Sequence, residues 1–291
     1  KSVRFKTVYL ESDNGSSPTA IYFEDPNLEQ AIRSRIGKPT GAFTSADLQG
    51  IVYLDITRYG GYGPAIESLK GIEHLVDLVN LTLQRHRISD ISPLAGLTNL
   101  EILDLRGNQI SDIDPLAGLT KLKRLYLHSN AILDISPLEG LTNLETLDLS
   151  NNPISDISPL ARLTNLESLD LTANPISDIN PLAGLTNLER LILWGNQISD
   201  ISPLAELTNL EVLKLSDNQI SDIGPLETVE DVNLYHLDLR TNQISDISPL
   251  VRNTNLKANI DLIDNYLDLS PGSDNMQDIQ TLIDRGCRVY Y

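Results

Sequence analysis

Residues 97–118 read LTNLEILDLRGNQISDIDPLAG, and the next 22 residues, 119–140, read LTKLKRLYLHSNAILDISPLEG. The same phrase begins again at residues 141, 163 and 185, each 22 residues after the last. A fixed period over so long a stretch indicates a repeat architecture, in which each unit packs mainly against its two neighbours. The chain of 291 residues is therefore predicted to be a solenoid.

An asparagine marks the phase of the repeat. It recurs at Asn108, Asn130, Asn152, Asn174, Asn196, Asn218, Asn242 and Asn265. His86 stands at the equivalent position one unit earlier, and Tyr59 in the irregular unit before that. We expect the asparagines to bond backbone groups of the turn that follows each strand, which is a structural role. The phase gives about ten units, with short strands centred near Leu54, Leu81, Leu103, Leu125, Leu147, Leu169, Leu191, Leu213, Leu237 and Ile260.

The alternation within a unit predicts its cross-section. In ILDLR, residues 102–106, both leucines point to one side and the polar residues to the other. One strand cannot bury its leucines alone, so successive strands must stack in parallel at about 4.8 Å. Ser-Pro pairs such as Ser92-Pro93 favour 3₁₀ turns over full helices on the opposite side. The predicted fold is an α/β solenoid, a right-handed curved horseshoe with a parallel concave sheet, a 3₁₀ or extended convex side and helical caps.

Four regions are predicted along the chain: an N-terminal strand extension over 1–24, a helical cap over 25–50, leucine-rich repeats over 51–269 and a C-terminal cap over 270–291. Within the extension, residues 3–9 and 19–23 show strand-like alternation. Each cap contains a helix with one apolar face. The inward-facing residues are predicted to be Leu28, Ala31, Ile32 and Ile36 in the first helix, and Met276, Ile279, Leu282 and Ile283 in the last.

Composition excludes several function classes. The formal charge is −18, from 22 basic and 40 acidic residues, which argues against nucleic acid as a partner. No apolar run approaches about 18 residues, so membrane insertion is not expected. The single cysteine, Cys287, is predicted to be a packed residue, and no motif assembles a catalytic set or a phosphate loop. We therefore expect no enzyme activity, no catalytic residue, no bound metal and no cofactor.

The repeat units ISDISPLAGLTNLE and LDLSNNPISDISPLARLTNLE resemble those of bacterial internalin-type leucine-rich-repeat proteins. The stretch FEDPNLEQAIRSRIGKPTG is similar to the helical cap of that family, and DNYLDLSPGSDNMQDIQTLIDRG to the C-terminal cap of bacterial relatives. The resemblance covers roughly residues 22–291. It implies a secreted or surface-attached bacterial protein that binds another protein through its concave face.

The outward strand positions vary between repeats, whereas the inward leucines hardly do. Large side chains, Tyr126 and His128 on one strand and Ile192 and Trp194 on another, flank strands with smaller residues. Aromatic and arginine anchors among polar groups are typical of protein-binding faces. The predicted partner-binding residues are Trp194, Tyr126, His128, Ile192, Arg106, Arg124, Arg190, Asp148, Asp170, Lys214, His236 and Arg240.

Two acidic features leave alternatives open. Asp148 and Asp170 lie about one strand apart and could accept hydrogen bonds from a partner or contribute to a Ca²⁺ site, which needs six or more oxygens. A second set recurs once per repeat and favours turn capping, with a cation- or basic-partner-binding edge as the alternative. Its members are Asp90, Asp112, Asp134, Asp156, Asp178, Asp200, Asp222 and Asp246.

The sequence thus predicts a monomeric, non-enzymatic recognition module that binds a protein partner on its concave face. The alternative is a scaffold or regulatory arm of a larger multidomain protein or complex. That alternative would favour contacts through the insertion near residues 228–232, or through the edges of the solenoid.

Overall fold

A computed structural model of the chain describes residues 20–58, 60, 63–227 and 234–291. Among these residues, eleven short strands form one parallel sheet whose order follows the sequence. The strands β1 to β11 are Tyr53–Asp55, Asn80–Thr82, Ile102–Asp104, Arg124–Tyr126, Thr146–Asp148, Ser168–Asp170, Arg190–Ile192, Val212–Lys214, His236–Asp238, Asn259–Asp261 and Arg288–Tyr290. The predicted leucine-rich-repeat solenoid is confirmed.

All ten predicted strand centres lie at the middle of a strand, and β11 extends the sheet by one. Neighbouring strands pair with equivalent positions opposite each other, as Leu103 does with Leu125. Every central leucine from β2 to β9 is at most 1% exposed. The apolar core therefore runs the length of the solenoid as one continuous column behind the sheet.

The convex side consists of short 3₁₀ turns. They span Ile72–His74, Ser92–Leu94, Asp114–Leu116, Ser136–Leu138, Ser158–Arg162, Asn180–Leu182, Ser202–Leu204 and Gly224–Glu227, and the equivalent segment Ser248–Arg252 is an α-helical turn. Proline near the start of most of these turns suits a position whose N–H needs no helical partner. In each of the eight repeats that carry the recurring aspartate, its carboxylate accepts the N–H two residues ahead, as Asp156 does from Ser158 at 2.8 Å. The predicted turn-capping role is confirmed.

The phase-marking asparagines form a buried ladder between coils. Asn174 Oδ1 accepts the N–H of Ile154 in the previous coil at 3.1 Å. Its Nδ2 donates to the carbonyl of Leu149 in that coil and to those of Leu171 and Thr172 in its own. Equivalent bonds recur from Asn108 to Asn265. The expectation of a structural role is confirmed.

A second asparagine ladder was not predicted. It lies in the exposed turn before each strand, where Asn165 Nδ2 donates to the carbonyl of Thr142, one coil earlier, at 2.8 Å. The same bond is made by Asn99, Asn143, Asn187 and Asn209. At the corresponding place in the next coil after Asn99, Lys121 Nζ donates to Asn99 Oδ1. Each coil is thus tied to its predecessor on two sides.

The residue just before the buried asparagine has a left-handed backbone in every repeat from β2 to β10. Two of these positions hold glycine, Gly107 and Gly195, which adopt this conformation without steric cost. The other seven hold Arg85, Ser129, Asn151, Ala173, Asp217, Thr241 and Asp264. This turn reverses the chain directly after the strand, which brings the asparagine side chain back into the core.

Helix α1, Pro26–Ile36, closes the N-terminal end, with Leu28 and Ile32 fully buried. Asp25 caps it and also accepts the N–H groups of Glu67 and Ser68 in the first coils. Burial acts to raise the pKa of Asp25, but these backbone donors outweigh it and hold the pKa below its ordinary value. A short helix α2, Ser45–Leu48, follows, and its Asp47 carboxylate accepts both the N–H and the hydroxyl of Thr44.

Helix α4, Asp274–Arg285, closes the other end, with α3 being the turn Ser248–Arg252. Ser273 caps α4 and Gly286 ends it in a left-handed conformation. Ile279 and Leu282 are buried, but Ile283 is 40% exposed, so its predicted inward position is wrong. One residue beyond Leu282 is a rotation of about 100°, which takes Ile283 off the buried face. Cys287 is buried and its Sγ donates to the carbonyl of Leu256, which confirms its packing role.

Three predicted features fall outside the described residues. They are the strand over 3–9, Tyr59 and, much later in the chain, the insertion segment 228–232. Of the predicted strand over 19–23, Ile21 forms an isolated antiparallel bridge with Phe43. In the part of the chain that the structure describes, no helix has the length and apolar character needed to cross a membrane.

Candidate functional site

The concave sheet offers three columns of outward side chains. Each strand buries its central residue and turns the first and third residues outward, and the second residue after the strand continues the same face. Because the strands pair without offset, equivalent positions stack at about 4.8 Å per strand. The predicted partner-binding residues all belong to these columns. The end strands add residues that the prediction missed, namely Tyr53, Asp55, Ile263 and Tyr290.

Strands β3 and β4 form a closed polar network. Asp104 is 4% exposed, and Arg106 Nε lies 2.8 Å from its Oδ1, while Gln84 Nε2 donates to Oδ2 at 2.7 Å. The Arg106 guanidinium carbon lies 5.0 Å from the centre of the Tyr126 ring. Arg106 is therefore an intramolecular partner of Asp104 and a support for Tyr126. Two of its guanidinium nitrogens, Nε and one Nη, are already engaged, which the sequence prediction did not foresee.

A second pairing lies one strand further, around Asp148. His128 Nδ1 and Asp148 Oδ2 are 3.0 Å apart, and Ser150 Oγ donates to Oδ1 at 2.7 Å. Burial acts to raise the pKa of Asp148, but the bonds from His128 and Ser150 outweigh it and lower the pKa overall. His128 and Asp148, both predicted site residues, are thus brought together. Ser150 is a participant that the prediction treated only as a small spacer.

Asp170, on β6, differs from its neighbours. Its Oδ1 accepts the N–H of Thr172 at 2.9 Å. Among the described residues no cationic side chain lies within ion-pair distance of it. Burial raises the pKa of Asp170, the nearby Asp148 carboxylate adds to that rise, and Thr172 and the more distant Arg190 only partly offset it. Ionised Asp170 is accordingly the least stabilised carboxylate of the central concave face.

The apolar part of the face lies on β7 and β8. Trp194 is 46% exposed, as predicted for an anchor. Ile192, expected to be a second exposed anchor, is only 7% exposed, so its predicted exposure is wrong although it lies on the concave side. Val212 beside it is buried as well, and Lys214 is half-buried. Trp194 is therefore the accessible apolar side chain in this part of the concave face, and Ile192 and Val212 are its buried neighbours.

The C-terminal part of the face repeats the closed pattern of β3. Arg240 donates to both oxygens of Asp238 and also lies 3.4 Å from Asp261. Ser216 Oγ donates to Asp238 as well, and the combined donors lower the pKa of Asp238 although burial acts to raise it. His236 is half-exposed on the same strand. A signal for these clamps was present in the sequence, since both follow the pattern Asp-Leu-Arg at 104–106 and 238–240.

The remaining predicted cations, Arg124 and Arg190, are exposed, and neither forms an ion pair within the described part of the chain. The Ca²⁺ alternative at Asp148 and Asp170 gains no ligands from the geometry. Across residues 20–58, 60, 63–227 and 234–291, no group of three or more His, Cys, Asp or Glu side chains could hold a metal ion.

Comparison with known proteins places this geometry in a family. Residues 98–140, 142–184 and 186–228 match the family model for leucine-rich repeats in two copies. Internalin H of Listeria monocytogenes serovar 1/2a (strain ATCC BAA-679 / EGD-e) is 39% identical over 86 residues. That match covers 28% of this chain and only 15% of internalin H.

Two solved structures from Listeria monocytogenes strain 4b F2365 are similar over most of the chain. One is an internalin (inlF), 30% identical over 95% of this chain and 98% of its own, with a TM-score of 0.66. The other is internalin C2 (inlC2), 37% identical over 86% of this chain and all of its own, with a TM-score of 0.63. The identity and the near-complete coverage of both relatives confirm the resemblance seen in the repeats and caps. The chain belongs to the internalin family of leucine-rich-repeat proteins.

Proposed function

We propose that this chain is a non-enzymatic recognition module that binds a protein partner on its concave face. Leucine-rich-repeat proteins, internalins among them, commonly mediate protein–protein interactions. The family is bacterial in the relatives compared, and we extend the proposal to a secreted or cell-surface, adhesin-like location. Protease treatment of intact cells and analysis of the culture medium test that location.

The exposed Trp194, two residues after β7, is the observation that carries the proposal. An exposed tryptophan at the centre of a concave sheet offers a large contact area with little loss of side-chain entropy on binding. About 14 Å away, three strands along the sheet, Tyr126 is held in place by the Arg106 guanidinium. Between the two lie the smaller side chains of β5 and β6, which leave room for an inserted group.

Binding measurements on two variants test the concave face. The partner is first captured from bacterial lysate or host membrane extract and then purified. We expect Trp194→Ala and Tyr126→Ala each to weaken its binding by about 1–4 kcal/mol, the range for aromatic anchors at the centre of an interface. Isothermal titration calorimetry gives the affinities, and circular dichroism confirms that the solenoid remains folded.

Tyr266→Ala is the matched control, because Tyr266 is 70% exposed but lies outside the concave columns. It should bind as tightly as the wild-type chain. Unchanged affinity in both concave variants, or an equal loss in the Tyr266 variant, would contradict the assignment of the binding face.

The second candidate is a scaffold or regulatory arm, favoured by the apolar side chains exposed near the C-terminal cap. These are Ile263, Tyr266, Leu269, Ile283, Tyr290 and Tyr291. Such a group of exposed apolar residues suits contact with another domain or subunit. This candidate requires association through the end of the solenoid, and binding that is insensitive to Trp194→Ala would favour it.

A further inference from the structure

The aspartates of the concave face from β3 to β9 fall into two groups. Asp104 and Asp238 are each clamped by the arginine two residues ahead, Arg106 and Arg240. Asp148 has His128 and Ser150 as partners. At the position where the first two carry arginine, the strand of Asp170 carries Thr172, whose N–H and hydroxyl bond the carboxylate without supplying a positive charge. The chain thus supplies a cationic or imidazole partner to three of these four carboxylates.

The open carboxylate lies on the floor of a trough. We define the central trough as β5 and β6, Thr146–Asp148 and Ser168–Asp170, together with Ser150 and Thr172. Its wall on one side is Tyr126, and on the other side Trp194, with about 14 Å between the two strands that carry them. An apolar side chain of a partner would contact these walls, and a group reaching the floor would meet Asp170.

The energetics favour a positive group at that place. Half-burial deprives the Asp170 carboxylate of water, and the neighbouring Asp148 repels its charge, so both effects raise its pKa. A guanidinium or ammonium from outside would supply the charge-assisted hydrogen bonds that Arg106 gives to Asp104. Trp194, on the coil next to Asp170, would in addition favour a cation near its ring face.

We propose that Asp170 receives an arginine or lysine side chain of the protein partner, flanked in the partner by apolar residues that contact Trp194 and Tyr126. This inference rests on the proposed function and specifies its partner chemistry. The proposed occupant is a basic, partly apolar segment of the partner, bound at Asp170 and not at the many carboxylates exposed elsewhere on the chain.

Nuclear magnetic resonance titration with defined peptides tests the inference. The chain contains one tryptophan, so the indole N–H of Trp194 gives a single signal at the trough wall. The probes are acetyl-Leu-Arg-Leu-amide, its citrulline analogue, which keeps the shape without the charge, and its glutamate analogue. We expect a saturable shift with the arginine peptide, with an affinity about tenfold or more above that of the citrulline peptide.

Thr172→Arg is the most informative variant, because it recreates on β6 the clamp that Arg106 makes on β3. We expect it to satisfy Asp170 internally and to abolish the response to the arginine peptide while the solenoid stays folded. Asp170→Asn should weaken the response by about tenfold. Thr186→Arg adds the same charge in an exposed turn away from the concave face and should respond as the wild-type chain does.

Three results would overturn the inference: no saturable response to the arginine peptide, equal affinity for the citrulline peptide, or a wild-type response from Thr172→Arg. Failure of the proposed function has a different signature. A captured partner that loses affinity with Trp194→Ala but not with Thr172→Arg or Asp170→Asn leaves the concave face as the binding surface and removes only the basic group. A partner indifferent to Trp194→Ala and Tyr126→Ala contradicts the binding face itself.

Discussion

Each typical repeat carries two asparagines that bond the coil before it, and they differ in burial. Asn174 lies in the core and joins four backbone groups of two coils. Asn165 is exposed and makes a single bond to Thr142. A buried backbone group left without its partner cannot turn to water, whereas an exposed one can. The same residue type should therefore contribute very differently to stability at the two positions.

We expect Asn174→Ala to lower the free energy of unfolding by at least about 2 kcal/mol, because it leaves the Ile154 N–H and several carbonyls buried and unpaired. Asn165→Ala should cost less than about 1.5 kcal/mol, since water replaces its one bond. Urea unfolding followed by circular dichroism measures both values. Equal losses in the two variants would show that burial does not set the strength of these ladders.

At the scale of single elements, the first coils are joined by a histidine where other repeats use asparagine. His86 Nδ1 accepts the N–H of Ile66, and its Nε2 donates to the carbonyl of Ile56. Burial is the main cause that lowers the pKa of His86 from its ordinary 6.5, and the positive charge of Arg58 adds to it. The bond to Ile56 and the negative charge of Asp25 act in the opposite direction without cancelling the shift.

This arrangement makes the stability of the first coils sensitive to mild acid. The folded chain resists protonating His86, whereas the unfolded chain binds the proton near the ordinary pKa, so stability is full above that value and falls as the pH drops below it. We expect His86→Asn, which restores the ladder residue, to reduce the loss of stability between about pH 7.5 and pH 5.5. Thermal unfolding at the two pH values measures the difference.

His74→Asn is the control, because His74 is exposed and should leave the pH dependence unchanged. If His86→Asn and the wild-type chain lose stability equally over this range, the histidine is not the titrating group.

The secondary-structure elements were largely predictable, because the same pattern recurs in many units and one irregular unit does not change the assignment. Ten strand centres, both cap helices and the convex turns were located in this way. The clamps on Asp104 and Asp238 were not, since the predicted partner-binding role of Arg106 and Arg240 took no account of side chains folding back along their own strand. The left-handed residue also escaped notice because nine repeats fill it with seven residue types, among which only Gly107 and Gly195 point to it.

The burial of Ile192 shows a further limit of the pattern. Alternation correctly assigns Ile192 to the concave side, but it does not predict how much of the side chain is exposed there. Asp148 illustrates the same point, since its imidazole partner, His128, comes from the preceding coil and not from its own strand. The face of a residue follows from its own sequence position, whereas its accessibility and charge pairing depend on neighbours in adjacent coils.

At the scale of the whole molecule, the net charge of −18 is distributed away from the proposed binding face. One aspartate per coil lines the convex turns, where backbone N–H groups bind it. The concave face pairs most of its carboxylates and adds exposed arginines. Two copies of the chain therefore meet mainly through surfaces of the same charge, which opposes self-association.

We expect the chain to sediment as a monomer, and to do so most clearly at low salt, where repulsion between copies is least screened. Sedimentation equilibrium at several protein concentrations measures the mass. A mass that rises with concentration at low salt would contradict this expectation. If Tyr290→Ser then restored the monomer, the C-terminal strand would be the contact, and the scaffold alternative would gain support.

Adjacent strands are joined without offset, so each internal coil presents the same backbone donors and acceptors to its neighbours. A whole unit could consequently be lost or duplicated during evolution and the flanking units would still fit together. Loss or gain of a unit between the tyrosine and tryptophan walls would change their spacing by one strand. The width of the partner segment that fits between the two walls can therefore vary in steps of one strand while the scaffold remains the same.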